Sequence, residues 1–297
     1  VRFGLLGTGP WATAVHAPVL DAHPDVEFAG VWGRRPEAAN ALAERFGARS
    51  YQDLDALLSD VDAVAVALPP AVQSELAVRA AKAGCQLLLD KPLAVTVPAA
   101  REAVAAAQAA DVASVVFFTT RFGLEQEAWI SEQARTGGWF TGRADWLGAV
   151  FSAESPFAAS PWRREKGALW DVGPHALSVL LPVLGEVEEV TAVRGPADTV
   201  QLFCRHGSGA TSTATLSLTA PPAASGATVE LRGEGGVVVL PERNDGPAAA
   251  LHRAVDALRS AAATGTPHPC DAAFGLAVVE VLAAAEQSLA TGRAAAV

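Results

Sequence analysis

Three groups of residues in this chain have the types and spacing to do chemistry. The first is Gly7-Thr8-Gly9-Pro10-Trp11-Ala12, a G-x-G-x-x-A turn directly after the apolar run Arg2–Leu6. Gly7 permits a tight turn, Gly9 lets a pyrophosphate approach the backbone, and Ala12 is small enough for a helix to pack closely on a sheet. Pro10 suits a first helical turn, whose free N–H groups and partial positive charge attract phosphate oxygens. The second group is Leu87-Leu88-Leu89-Asp90-Lys91-Pro92, in which two charged residues end an apolar strand. An ammonium group at Lys91 can hydrogen-bond a substrate oxygen and stabilise the negative charge that develops there during hydride transfer. The third is Asp171-Val172-Gly173-Pro174-His175, a carboxylate and an imidazole four positions apart at a helix start, where they can share a face. Asp171 could orient His175, and the imidazole could take a hydroxyl proton as hydride leaves carbon. Taken singly, the last two groups have plainer readings. Lys91 could pair with Asp90 or point to water, Asp171 could simply cap a helix, and His175 could be a satisfied interior histidine.

The second strand ends in Trp32-Gly33-Arg34-Arg35, where an acidic residue would normally accept hydrogen bonds from the adenosine ribose. Here two guanidinium groups stand where a 2′-phosphate would lie, so NADP(H) is favoured and NAD(H) stays possible; the alternative is that Arg34 and Arg35 are solvated helix-entry residues. Leu68-Pro69-Pro70, after another strand, could line the same cofactor. No metal site is expected, because Cys85, Cys204 and Cys270 are far apart and odd in number.

The elements that must position these groups follow from periodicity. β-type runs at Arg2–Leu6, Glu27–Trp32, Ala63–Ala67, Gln86–Leu89 and Ser114–Thr119 alternate with helical patterns at Trp11–Ala22, Glu37–Phe46, Asp53–Leu58, Val72–Ala83 and Ala99–Ala110. That alternation predicts an α/β fold: a dinucleotide-binding Rossmann domain over residues 1–119, with a doubly wound parallel sheet. Beyond it the strand-like runs follow one another at Gly142–Val150, Val187–Val193, Val200–Arg205, Ala210–Leu218, Ala227–Arg232 and Val237–Leu240. Residues 120–297 are therefore expected to form an α+β domain with a mostly antiparallel open sheet, interrupted by a helix at Pro174–Leu184 and closed by helices at Ala248–Ala263 and Asp271–Thr291.

Composition narrows the partners. With 51% hydrophobic and 18% charged residues the chain has ample side chain for globular cores. A formal charge of -10 and the absence of a basic cluster argue against nucleic acid. The apolar runs read as too short or too interrupted to span a bilayer, and the N-terminus lacks a signal-peptide pattern. With its few scattered cysteines, a reducing, cytoplasmic setting is expected.

Taken together, Gly7–Ala12, Asp90-Lys91-Pro92, Thr120-Arg121-Phe122 and Gly167-Ala168-Leu169-Trp170-Asp171-Val172-Gly173-Pro174-His175 resemble the glucose–fructose oxidoreductase/inositol dehydrogenase (Gfo/Idh/MocA) family. The resemblance implies an NAD(P)-dependent oxidoreductase acting on CH–OH groups of sugars, polyols or their derivatives. It maps that family's E-K-P lysine onto Lys91 and its D-x-G-x-H segment onto Asp171 and His175, implying substrate orientation and proton transfer. Departures include Asp90 in place of Glu, Ser178 where many members carry an Asp that contacts substrate hydroxyls, and Gln73 where His is frequent. Trp162, Arg163, Arg164 and Lys166 fall in a compact connection near the expected site. Arg163 and Arg121 are substrate-binding candidates, since arginine forks match anionic groups, and Trp11, Trp162 and Trp170 could form a stacking wall. The resemblance also implies a homodimer or homotetramer. Two other functions stay open: a cofactor-holding regulatory protein without turnover, and a glycosidase or eliminase that uses nicotinamide transiently.

Overall fold

A computed structural model of the chain describes residues 1–152 and 155–297. Strand β1 (Arg2–Leu6) leads through a π-helical turn, Ala12–His16, into α1 (Ala17–Ala22). Strands and helices then alternate: β2 (Glu27–Trp32), α2 (Pro36–Arg45), β3 (Arg49–Tyr51), α3 (Leu54–Leu58), β4 (Ala63–Val66), α4 (Pro70–Lys82), β5 (Gln86–Asp90), α5 (Val97–Ala109) and β6 (Ser114–Phe117). A 3-10 turn, Thr119–Phe122, precedes α6 (Leu124–Thr136), β7 (Trp139–Leu147), α7 (Pro161–Asp171), α8 (Gly173–Leu184), β8 (Val187–Arg194), β9 (Val200–His206) and β10 (Thr211–Ser217). After a second 3-10 turn, Pro222–Ala224, come β11 (Gly226–Gly233), β12 (Gly236–Val239), α9 (Pro247–Thr264), α10 (Ala272–Thr291) and β13 (Ala295–Ala296).

These elements form two compact units: Val1–Phe122 with Asp245–Leu276, and Gly123–Asn244 with Ala277–Val297. The first unit holds a six-stranded sheet in the order β3-β2-β1-β4-β5-β6, with every pair parallel. Helices cover both faces of such a sheet, so β4 and β6 are buried at every position and read as apolar runs, apart from Ser114 at the start of β6. Helix starts carry their own stops to fraying. Asp53 accepts from the Asp55 and Ala56 N–H groups, and Thr96 accepts from Ala99 N–H. Helix α9 joins this unit against β5, β6 and α1. The His23 and His252 rings stack there with centroids 4.1 Å apart. Asp25 N–H donates to His23 Nδ1, which leaves His23 Nε2 to donate to Asp256 at 3.2 Å.

The second unit carries a seven-stranded sheet in the order β12-β11-β7-β10-β9-β8-β13. Only β7 and β10 pair in parallel among its described strands. Strand β9 alternates strictly between buried and exposed residues, so one face meets a core and the other meets solvent. The core face takes Leu202, Cys204, Leu216, Val229 and Leu231, and α8 packs on the sheet at β7 and β10. The opposite face shows Val193, Phe203, Val237 and Val239.

The α/β class, the parallel order and the mostly antiparallel second sheet agree with expectation. Several elements do not, among them the two-residue strand β13 and the start of β7, which lies three residues before the expected Gly142. Strand β3 is a three-residue edge strand, too short to show alternation. Helix α6 buries Gln126, Trp129, Ile130 and Gln133, so half of its inward stripe is glutamine and the apolar period is broken. Gln126 is satisfied there by donating to the Pro241 and Glu242 carbonyls. The charged stretch expected as part of a connection folds as α7, whose helical geometry is broken at Gly167. Apolar length was also underestimated: Pro161–Leu184 and Ala272–Thr291 are long and apolar enough to cross a bilayer. Their most apolar windows are 78% and 50% buried inside the protein, as core helices of a globular chain are.

His16, in the π-helical turn, is 1% exposed. Its ring stands edge-on to Trp11 and Phe117. Burial lowers its pKa from the ordinary 6.5 to about 4. The unfolded ring takes up a proton between those two values and the folded ring does not. Stability from neutral His16 is therefore complete above pH 6.5 and is lost as pH falls toward 4. Between pH 7.5 and 5 this single group should remove about 2 kcal/mol. Urea denaturation at the two pH values is expected to show that loss in the wild type and a clearly flatter dependence in His16→Leu; equal slopes would assign the acid sensitivity to other groups.

Candidate active site

Strand β1 lies between β2 and β4, and its end has to turn in the narrow space they leave. Gly7 N–H donates to the Trp32 carbonyl at 2.9 Å. Gly7 has φ 131°, and a Cβ there would sit 2.4 Å from the Ala67 carbonyl oxygen. Only glycine meets both demands. Thr8 packs on Gly33, where a Cβ would come within 2.8 Å of the threonine methyl, so the turn after β2 is held against the turn after β1. A Cβ added at Gly9 would meet nothing within 4 Å. The backbone there borders open space, and no side chain caps the following helical turn. This arrangement fits a pyrophosphate laid across Gly9 toward the helix start. Ala12 is fully buried beneath it.

The parallel order puts the other candidate turns of this unit on the same carboxyl edge. Gly33, Arg34 and Arg35 follow β2, Leu68, Pro69 and Pro70 follow β4, and Lys91 follows β5. Two strand spacings separate the β1 and β5 ends, about 10 Å, a span suited to the pyrophosphate-to-nicotinamide half of a dinucleotide. Arg34 and Arg35 are exposed. Lys91 is half-buried, and its peptide bond to Pro92 is cis. Arg121 lies in the 3-10 turn after β6, only 4% exposed, with its guanidinium 5.6 Å from the Phe274 ring centre.

The second unit carries the candidate acid–base residues Asp171 and His175. Asp171 ends α7 and His175 sits in the first turn of α8. A Cβ at Gly173, between them, would come within 2.9 Å of Leu282 and 3.3 Å of Leu216. The small residue lets this segment settle onto α10 and β10. Asp171 is 4% exposed and accepts from Arg163 Nε at 2.8 Å. Arg163 is itself held between the Phe157 and Trp162 rings, 4.6 and 4.7 Å from their centres. The His175 ring stacks on Trp146 of β7, with centroids 5.1 Å apart and planes 10° from parallel. Ser178 is fully buried and donates to the His175 carbonyl at 2.8 Å.

Arg163, Asp171, His175 and Ser178 are thus brought together. The other basic residues of α7 are engaged elsewhere. Arg164 donates to the Ala158 carbonyl at 2.5 Å, and Lys166 pairs with Glu286 at 3.1 Å. Trp170 is buried and donates to the same Glu286, whereas Trp162 is half-buried. Trp146 escaped sequence reasoning, because one aromatic residue in a strand carries no mark of the ring it will stack on. Gln73 stood out only as a departure from the family's usual His.

Residues 1–118 match the model of an oxidoreductase family with an NAD-binding Rossmann fold, and residues 97–239 match the GFO/IDH/MocA C-terminal domain. The chain belongs to the Gfo/Idh/MocA family. It is 30% identical over 215 residues to dTDP-3,4-didehydro-2,6-dideoxy-alpha-D-glucose 3-reductase of Streptomyces violaceoruber, covering 68% of this chain and 59% of that protein. It is 33% identical over 140 residues to D-glucoside 3-dehydrogenase of Escherichia coli K12, covering 46% of this chain and 40% of the relative. The matched stretch thus spans under two thirds of either relative. GenD2 from gentamicin A biosynthesis, solved in complex with NAD, superposes with a TM-score of 0.87 at 25% identity, covering 100% of this chain and 96% of that one. In this Gfo/Idh/MocA chain the Arg163–Asp171 pair is open to a direct test. A double-mutant cycle on Arg163→Ala and Asp171→Ala, read by chemical denaturation, is expected to give a coupling of about 2 kcal/mol. A coupling below about 0.5 kcal/mol would mean that the pair is energetically idle.

Proposed function

We propose that the chain is a nicotinamide-dependent oxidoreductase that moves hydride between the dinucleotide and a secondary alcohol or ketone of a sugar-like molecule. The carrying observation is the alignment of the Gly7–Ala12 turn, the Leu68–Pro70 turn and Lys91 along one carboxyl edge of the parallel sheet, where the strand order reverses. Gly7, Thr8, Gly9, Pro10, Trp11 and Ala12 hold the pyrophosphate. Gly33, Arg34 and Arg35 hold the adenosine end, and Leu68–Pro70 with Asp90 and Lys91 hold the nicotinamide end. The bound nicotinamide supplies the two-electron acceptor or donor.

Lys91 donates a hydrogen bond to the reacting oxygen and offsets negative charge as it develops. In the oxidative direction His175 takes the hydroxyl proton, and in the reductive direction it returns one. The stack on Trp146 fixes the plane of the imidazole. Asp171, tied to Arg163, adds a fixed carboxylate on the same segment. Arg121 and Trp162 are substrate-side candidates, whereas Arg163 acts through Asp171. Both curated relatives are named for position 3 of a glucose-type ring. That supports a C3 hydroxyl or ketone as the reacting group here.

Arg34 and Arg35 are exposed and form no ion pair among the described residues, which supports NADP(H) over NAD(H). The buried cysteines Cys85, Cys204 and Cys270, few and far apart in the chain, support a reducing, cytoplasmic setting. Fluorescence titration is expected to show tighter binding of NADPH than NADH, with Arg34→Ala weakening NADPH about tenfold and NADH little. Oxidation of methyl α-D-glucoside, followed by nicotinamide absorbance, should disappear in Lys91→Ala and His175→Ala while both variants still bind the dinucleotide. Failure to bind either dinucleotide would sink the oxidoreductase reading.

The solvent face of the second sheet favours a second copy of the chain, giving a homodimer or a homotetramer built on it. Exposed Val193, Phe203, Val237 and Val239 share that face with the opposite-charge pairs Arg232–Glu230 and Arg205–Glu188. In a two-fold contact such apolar groups can meet one another and each charge can meet its opposite on the second copy. Sedimentation is expected to find an oligomer for the wild type and a monomer for Phe203→Asp; a monomeric wild type overturns this assignment.

A further inference from the structure

Strand β5 outruns its neighbour. Its register with β4 ends at Ala65↔Leu88, and β4 itself stops at Val66, while β5 continues to Asp90. On the other side Asp90 still pairs with Phe117 of β6. The side vacated by β4 is filled by Gln73, a fully buried residue of α4. Its Oε1 accepts from Asp90 N–H at 2.7 Å. Its Nε2 donates to the Asp90 carbonyl at 2.6 Å, the Pro92 carbonyl at 3.1 Å and the Leu93 carbonyl at 3.3 Å. A side-chain amide offers the same donor and acceptor as a peptide unit. Gln73 therefore stands in for the missing residue of β4 and grips the chain on both sides of Lys91.

We propose that Gln73 is a positioning residue for Lys91, fixing the Asp90–Leu93 backbone so that the lysine leaves the sheet edge in one direction. The assignment rests on the reading of Lys91 given above. The chemistry of the contact limits what can replace it. Leu would leave the Asp90 N–H and the Nε2-bound carbonyls without partners in a buried place. Glu would keep the acceptor but turn a carboxylate toward those carbonyl oxygens. Neutral His supplies one donor and one acceptor and should restore part of the grip.

The test compares Gln73→Leu, Gln73→Glu and Gln73→His with the wild type by three readouts. The first is hydrogen exchange of the Asp90–Leu93 segment. The second is acetylation of Lys91 by acetic anhydride relative to exposed Lys82, quantified by mass spectrometry. Leu and Glu are expected to speed exchange of the segment and raise the Lys91 to Lys82 acetylation ratio at least threefold, with His close to wild type. Unchanged exchange and an unchanged ratio in folded Gln73→Leu or Gln73→Glu would overturn the proposal. The third readout is methyl α-D-glucoside oxidation with NADP⁺. The turnover rate should fall about tenfold in Gln73→Leu with NADPH affinity held within twofold, and Gln73→His should recover most of the loss. Should Lys91→Ala retain full turnover, the catalytic role of Lys91 fails, while exchange and acetylation still decide whether Gln73 sets its position.

Discussion

With β1 flanked in parallel by β2 and β4, the chain leaving Leu6 has one way out, between the Trp32 carbonyl that it must hydrogen-bond and the Ala67 carbonyl that it must not strike. Much of the first unit's arrangement depends on that gap. Because glycine alone passes through it, the backbone turns tightly enough for the helix start to face the sheet edge, and the fully buried Ala12 lets that helix sit close on the strands. The same parallel order, with its reversal between β1 and β4, lines up the turns after β1, β2, β4 and β5 on one edge. A carboxyl edge at a strand-order reversal is where open α/β sheets leave room for a ligand.

In the second unit the comparable constraint is the approach of Gly173 to Leu282 and Leu216. It sets the short segment that carries Asp171 and His175, and neighbouring side chains finish the job. Arg163 neutralises the buried Asp171 and is itself braced by two aromatic rings. Trp146 supplies a flat surface that sets the imidazole plane. Ser178, fully buried, spends its hydroxyl on the backbone of the same helical turn. Charge, ring plane and backbone are thus each held by a different partner, which fixes the orientation of both side chains.

Buried polar side chains recur as the pieces that bind irregular backbone in place. Gln73 extends a strand that its neighbour abandons, and Gln126 holds the Pro241–Glu242 backbone to α6. His206 bridges the Gly185 carbonyl and Ser212. Each side chain ties down backbone outside the regular ladders, and where the contact is buried, as at Gln73, the low-dielectric interior favours the pairing strongly.

The sequence by itself determined the fold class and most of the strands, because burial on a pleated or helical surface leaves its period in the chain. Arg2–Leu6 and Glu27–Trp32 coincide with β1 and β2 residue for residue, and the glycine turn and the Asp171–His175 segment were legible as local patterns. Where the period was broken, reading failed. Helix α6 hides two glutamines on its inward face, β3 is too short to alternate, and the charged α7 resembles a connection. What only the tertiary structure decided were the partners: Arg163 for Asp171, Trp146 for His175, Gln73 for the backbone around Lys91, and α9 for a sheet whose strands end well over a hundred residues earlier. Periodicity records which way a side chain faces along its own element. It carries no record of which distant residue will face it, because that is set by strand order and crossover, and those exist only once the chain has folded.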